Sequence, residues 1–276
     1  MSQDASRAPK DLFAGCIGGI VQVLVGQPFD TVKVRMQTQP GHHTSAVSCV
    51  AHTYRTDGIP GFYKGTMAPL LGIGACVAVQ FGTMAHMKRW FGGDVLTPTQ
   101  LFVAGVASGA ATSVLSGPIE HVRTRMQVCP AGGGPLAFVR ATWRAHGVAG
   151  LYKGQAVTAV RECGGCGVYF MVYECLMRRG GARHEGVAQQ VLCGGIAGVA
   201  MWFAVYPVDV VKSKLQTDAL AVNERRYRSA WDCVAKTCKA EGLVGLYRGF
   251  WVCMIRAFPV NGATFLAVET MLSIMS

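Results

Sequence analysis

A ten-residue pattern that occurs three times limits what this chain can fold into. It reads Pro28-Phe29-Asp30-Thr31-Val32-Lys33-Val34-Arg35-Met36-Gln37, then Pro118-Ile119-Glu120-His121-Val122-Arg123-Thr124-Arg125-Met126-Gln127, then Pro207-Val208-Asp209-Val210-Val211-Lys212-Ser213-Lys214-Leu215-Gln216. The copies start at 28, 118 and 207, so 90 and 89 residues apart. Each holds a proline, an acid two residues on, a base three beyond that, and a glutamine four further. On a helix, spacings of three and four keep acid, base and glutamine on one stripe. The proline is expected to kink that helix, because its ring clashes with the preceding turn and its nitrogen donates no hydrogen bond. Three such helices, each showing a plus and a minus on one face, can close a ring by pairing with one another.

Composition decides the solvent. The 276 residues are 51% hydrophobic and 15% charged, against about 25% charged in an ordinary soluble protein. Glycine is abundant at 35 residues, which suits helices that pack closely in lipid. A net charge of +11 fits nucleic acid, anionic lipid or an anionic solute. The bases are spread through the repeats rather than clustered beside stacking aromatics, which disfavours nucleic acid. Of the eleven cysteines, Cys16, Cys76, Cys166, Cys193 and Cys253 sit inside apolar runs and are expected to be reduced packing residues. Cys163-Gly-Gly-Cys166 has no second pair and no neighbouring histidines, so no metal is expected. Met1 to Pro9 holds Asp4 and no apolar core, so no cleavable signal is expected there.

Six weakly apolar segments follow, at 12–29, 66–86, 95–119, 154–173, 186–208 and 249–268. A membrane helix needs roughly 20 such residues. Two segments are interrupted by charge, one by Arg161-Glu162 and one by Arg256, and the third carries Gly105 and Gly109 in G-x-x-x-G spacing. The expected fold is an all-α membrane protein with six transmembrane helices in three pseudo-threefold repeats, 1–93, 94–182 and 183–276, forming a single transmembrane domain. Repeats this short cannot each bury a core alone, but three together can.

Within each repeat a polar connection ends in a second recurring signal. It reads Asp57-Gly58 then Phe62-Tyr63-Lys64-Gly65; Gly147 then Leu151-Tyr152-Lys153-Gly154; and Glu241-Gly242 then Leu246-Tyr247-Arg248-Gly249. His146 stands where the other repeats have an acid. Short amphipathic helices, such as 138–145 and 230–240, are expected ahead of these signals on the membrane surface. Basic residues gather in the same connections, which the charge-bias rule places on the matrix-like or cytoplasm-like side.

Together the two signals resemble the signature of the mitochondrial carrier family, P-x-[DE]-x-x-[KR]-x-[KR] followed by [DE]-G and an aromatic-[KR]-G, present three times over nearly the whole chain. The resemblance implies a six-helix carrier of the mitochondrial inner membrane with short matrix helices. It implies a matrix gate of Asp30 with Arg123, Glu120 with Lys212, and Asp209 with Lys33, braced by Gln37, Gln127 and Gln216. The family's opposite gate, [FY]-[DE]-x-x-[KR], is depleted here. The equivalent positions are Ala85 and Lys88, Glu174 and Met177, and Glu269 and Leu272, so Lys88 with Glu269 is the one complete cytosolic pair.

Charges at mid-membrane cost about 3 kcal/mol or more and point to function. Arg161 and Arg256 each lie seven residues after the glycine of the second signal, and Gly72 occupies that place in the first repeat. These offsets match the family's substrate contact points, so Gly72, Arg161, Glu162 and Arg256 are the expected substrate contacts, with one local positive charge in excess. Arginine forks take carboxylates and Glu162 suits an ammonium. The expected solute is therefore a small zwitterion such as an amino acid. Within the family, Arg161-Glu162 with the run 256–262 resembles the branch that carries basic amino acids, carnitine and acylcarnitines. Arg161-Glu162 with 71–81 and Lys88 also resembles fungal-type carriers linked to glycine or glutamate, so the resemblance implies an amino acid of basic or glycine/glutamate type. Carnitine or acylcarnitine is the alternative, and a non-transporting membrane adaptor is the rival of another class. Glu162, Cys166, Tyr169 and Tyr173 fall on one helical face beside that site. No cofactor is expected and no catalytic set is discernible, so the chain is not expected to be an enzyme. The expected partners are a small-molecule substrate and membrane lipid, cardiolipin included, with no nucleic acid, and the chain is expected to act as a monomer.

Overall fold

The computed structural model describes residues 2–39, 41, 45–92, 96–129, 133–179 and 187–275, and among them there is no strand. In chain order the helices are α1 (Ser2–Thr38), α2 (Ala46–Asp57), α3 (Met67–Trp90), α4 (Pro98–Val128), α5 (Gly134–Leu151), α6 (Gln155–Arg179), α7 (Val187–Thr217), α8 (Ala230–Glu241) and α9 (Phe250–Met275). Six are long (α1, α3, α4, α6, α7 and α9) and they coincide with the six apolar segments. Four stretches meet a membrane-spanning criterion of length and hydropathy: Ile59–Trp90, Pro98–Val128, Leu192–Thr217 and Leu243–Met271. The polar interruption Arg161-Glu162 sets α6 apart from them.

Burial is inverted relative to a water-soluble protein. Leu71 is 78% exposed, Trp251 75% and Phe258 85%, while Gln27, Thr31, His121, Gln127 and Gln216 are buried to within 1%. Apolar side chains outside and polar ones inside is the arrangement that a lipid solvent favours, because every polar group must then be satisfied within the protein.

The connecting helices begin and end as their sequences dictate. Ser45 and Ser229 cap α2 and α8, their hydroxyl oxygens accepting from the backbone N–H of Ser48 and Asp232 and so satisfying a donor the first turn leaves open. Gly58 (φ 65°) and Gly242 (φ 68°) end these helices, and Gly147 (φ 61°) breaks α5 at the equivalent place. That left-handed backbone costs glycine little, which explains the glycine after Asp57, His146 and Glu241.

The prolines have partners that the sequence did not suggest. Pro118 and Pro207 lie inside α4 and α7, which continue through them. Lacking an N–H, they leave the carbonyls four residues back, on Val114 and Phe203, without the usual helical donor. The Tyr152 hydroxyl donates to the Val114 carbonyl at 3.1 Å, and the Tyr247 hydroxyl to the Phe203 carbonyl at 3.3 Å. The tyrosine of the second motif thus repairs the defect made by the first. Tyr152→Phe is expected to lower stability by about 1 kcal/mol, the worth of one such bond, read as a fall in the thermal midpoint of the purified protein in detergent with the helical signal unchanged.

The chain forms two compact units, one of Met1–Gly74, Val122–Ala145 and Arg248–Ser276, the other of Ala75–His121 and His146–Tyr247. In the first, α1 lies along α9; a Cβ on Gly18 would stand 2.6 Å from Val268 Cγ2. In the second, α6 packs along α7 and the G-x-x-x-G pair lets α4 meet the α6 backbone. A Cβ on Gly105 would stand 2.8 Å from the Cys166 carbonyl oxygen, and one on Gly109 2.5 Å from that of Glu162. Only glycine permits these approaches, and they seat the turn of α6 that carries Glu162.

Candidate functional site

In the first unit the focus is Asp30, one turn below Gly26 on α1. Its Oδ2 accepts from Arg123 Nη2 at 2.6 Å and from Arg256 Nη1 at 3.2 Å. Arg123 Nη2 also donates to Gln27 Oε1 at 2.6 Å, while Gln27 Nε2 donates to the Lys64 carbonyl at 3.0 Å. Gly26 makes room for the guanidinium of Arg256, since a Cβ there would lie 2.8 Å from Nη1. Further along the helix, Thr31 donates to the Phe62 carbonyl at 2.8 Å and lies 3.4 Å from Gln127 Nε2. Arg35 Nε donates to the Gln127 carbonyl at 2.9 Å, and its terminal nitrogens reach Thr53 at 3.0 Å and Asp57 at 2.8 Å. Lys64 closes on the other Asp57 oxygen at 2.6 Å. The hydrogen bonds from Lys64 and then Arg35 hold the Asp57 carboxyl below the usual carboxylate range. Gly72 is buried on α3.

In the second unit the focus is Glu120. One of its oxygens accepts from Arg161 Nη2 at 2.9 Å and the other pairs with Lys212. Arg161 Nη2 also bonds its neighbour Glu162, and Arg161 Nε lies 3.9 Å from Asp209 Oδ1. Ser116 stands 3.5 Å from Glu162 Oε1. Three carboxylates and two cations therefore interlock across α4, α6 and α7. Along α7, Lys214 donates to Thr237 at 3.1 Å and Glu241 at 2.8 Å, and Gln216 Nε2 lies 3.3 Å from Thr158 Oγ1. Up the α6 face, Cys166 Sγ lies 3.5 Å from Gln80 Nε2, and the rings of Tyr169 and Tyr173 stack at 6.2 Å.

The structure thus brings together Asp30 with Arg123 and Glu120 with Lys212. Lys33 and Asp209 belong to different units, as do Lys88, half-buried, and Glu269, exposed. Glu174 pairs with Arg178 at 2.9 Å within its own helix. The expectation of an excess, ligand-awaiting positive charge needs correction. Arg161 is engaged by Glu120 and Glu162, and Arg256 by Asp30, because a guanidinium has several donors and the gate acids lie within reach. Of the glutamines, Gln127 and Gln216 donate to Thr31 and Thr158, and Gln27 accepts from Arg123 of a gate pair. Sequence reasoning missed Gln27 because the second and third repeats have Gly117 and Tyr206 there. Its spacing of three from Asp30 was the available signal. Among the described residues no group of three or more His, Cys, Asp or Glu could hold a metal. Cys163 and Cys166 are both free thiols, and the Cys16 side chain lies outside the described residues.

Long helices with apolar exteriors, prolines within them and buried ionic clusters in each unit mark a helical membrane protein. The family model described as "Mitochondrial carrier protein" matches residues 4–95, 94–180 and 183–276, and the chain belongs to that family. It is similar to the "Glutamate/glycine mitochondrial carrier ymc1" of Schizosaccharomyces pombe, with 42% identity over 96% of this chain and 94% of that one. Similarity extends to the "Mitochondrial glycine transporter YMC1" of Saccharomyces cerevisiae, 43% identical over 96% and 91%. The "Mitochondrial basic amino acids transporter" of Bos taurus is 39% identical over 95% and 91%. The chain is a multi-pass transporter of the mitochondrial inner membrane.

Proposed function

We propose that the chain exchanges a small zwitterionic amino acid by alternating access, with glycine and glutamate the first candidates and basic amino acids next. One observation carries this reading: a guanidinium and a carboxylate, Arg161 and Glu162, stand side by side and bonded to each other on a helix in the apolar part of the chain. Such a dipole complements an α-ammonium and an α-carboxylate. The printed names of three relatives, each an amino-acid carrier, support the same class. The chain acts as a transporter and not as an enzyme.

In this reading Arg161 and Glu162 contact the solute, with Arg256 and Gly72 as further contacts. The solute's carboxylate competes with Glu120 for Arg161, and its ammonium competes with Arg161 for Glu162. The exchange at Arg161 loosens the hold on Glu120 and with it the Glu120–Lys212 latch of the matrix gate, to which Asp30 with Arg123 also belongs. Such a ligand moves the equilibrium only by its differential affinity for the states it joins. Cardiolipin surrounds the carrier, and the monomer is the working form.

Uptake into liposomes preloaded with glycine tests this. Labelled glycine is expected to enter in exchange, with glutamate or arginine competing and carnitine not. Glu162→Gln should lower uptake about 100-fold or more, as expected when a charged contact made during translocation is lost. Carnitine exchange without amino-acid exchange would overturn the substrate class, and undiminished uptake by Glu162→Gln would overturn the site.

A further inference from the structure

The second repeat departs from the other two at His146, and a cavity lies against that departure. In the first repeat the corresponding acid, Asp57, holds Lys64 at 2.6 Å and Arg35 at 2.8 Å. In the third, Glu241 holds Lys214 at 2.8 Å. The second repeat has an imidazole in that place, and its lysine, Lys153, is anchored by the backbone carbonyls of Asp218, at 2.6 Å, and Ala219. A cavity of about 400 Å³ opens here within the second unit, lined by His146, Ala149, Gly150, Lys153, Gly154, Leu220 and Arg225.

Three of its seven lining residues are basic and none is acidic. Asp218, at the start of the α7–α8 connection, accepts with its carboxylate from the backbone N–H groups of Arg226 and Tyr227, at 3.0 and 3.1 Å. Arg225 is held by one terminal nitrogen on the Leu220 carbonyl at 3.0 Å, while it and His146 are exposed to solvent. The volume lies within the range of small-molecule sites, and a Lys, an Arg and a His around one hollow suit an oxyanion with several charged oxygens. The hollow is separate from Arg161, Glu162 and Arg256.

We propose that this cavity binds a water-borne phosphate-bearing anion, a polyphosphate or the phosphate chain of a nucleotide, on the connection between the second and third repeats. The anion spans His146, Lys153 and Arg225 and ties the end of α5 to the α7–α8 connection. It supplies Lys153 with the negative charge that Asp57 supplies to the corresponding Lys64 of the first repeat. The site is independent of the proposed solute contacts.

The test uses the full chain in detergent, titrated with inorganic pyrophosphate and followed by calorimetry and by the thermal midpoint. Pyrophosphate is expected to bind and raise the midpoint. Arg225→Ala should weaken it about tenfold, the scale of one charge-assisted contact. His146→Glu, which restores the acid of the other repeats, should abolish binding while the midpoint without anion stays at or above that of the parent. The same titration with vesicles of phosphatidylcholine containing cardiolipin separates the sources. Saturable pyrophosphate binding lost in His146→Glu supports the site. Binding to the cardiolipin vesicles alone overturns it, as does pyrophosphate binding equal in parent, Arg225→Ala and His146→Glu. Failure of amino-acid exchange with pyrophosphate binding intact would leave this site standing and remove the transport reading alone.

Discussion

Replacing Arg161 by alanine is expected to abolish exchange and to lower stability in detergent by about 3–5 kcal/mol, the cost of breaking a buried ion pair by removing one partner. The size follows from the number of partners. Arg161 lies 2.9 Å from Glu120, is bonded to Glu162, and stands 3.9 Å from Asp209. Its side chain is 14% exposed, so solvent offers little compensation. Without it three carboxylates share the reach of Lys212, and repulsion among them adds to the loss. Arg161→Lys keeps a charge but has one terminal nitrogen where the guanidinium bridges two helices. It should recover part of the midpoint and little of the exchange. A thermal midpoint within about 2 °C of the parent, corresponding to under about 1 kcal/mol in a chain of this size, would show that the interlock carries no such weight.

The second large effect is expected at Asp30. Both Arg123 and Arg256 converge on its Oδ2, at 2.6 and 3.2 Å, so Asp30→Asn leaves two guanidinium groups facing a neutral amide. A loss of about 3 kcal/mol or more and a fall in exchange of at least about 100-fold are expected, since about 2.7 kcal/mol of lost stabilisation in the rate-limiting state is that factor. Adding Arg256→Ala to Asp30→Asn should recover stability, because the added change removes one of the stranded cations. A double variant less stable than Asp30→Asn alone would mean that Arg256 is held by something other than Asp30.

Most of the architecture was legible because it is periodic and repeated. The spacing of Pro28, Pro118 and Pro207 located the odd-numbered spans, and the uncharged runs located the others. The Asp30 to Arg123 and Glu120 to Lys212 partnerships followed from the resemblance. What escaped was set by which side chains reach which others. Gln27 has no counterpart in the other repeats, so no repeat comparison could pick it out. The bonds from Tyr152 and Tyr247 to the carbonyls below Pro118 and Pro207 join residues 38 and 44 positions apart, a distance that no local pattern spans. Arg161 and Arg256 were visible as costly charges, and their length lets them reach the gate acids rather than wait unpaired.

That reach gives the central claim. The cations proposed to meet the solute also hold the gate carboxylates, so solute and gate compete for the same donors. A double-mutant cycle on Arg161 and Glu120, read by thermal unfolding of the purified chain and by glycine exchange in liposomes, tests it directly. The predicted result is that Arg161→Ala and Glu120→Ala are each severe and that the pair together falls well short of their sum, with a coupling of at least about 1 kcal/mol. Additive losses within about 0.5 kcal/mol, with exchange retained in either single variant, would contradict it.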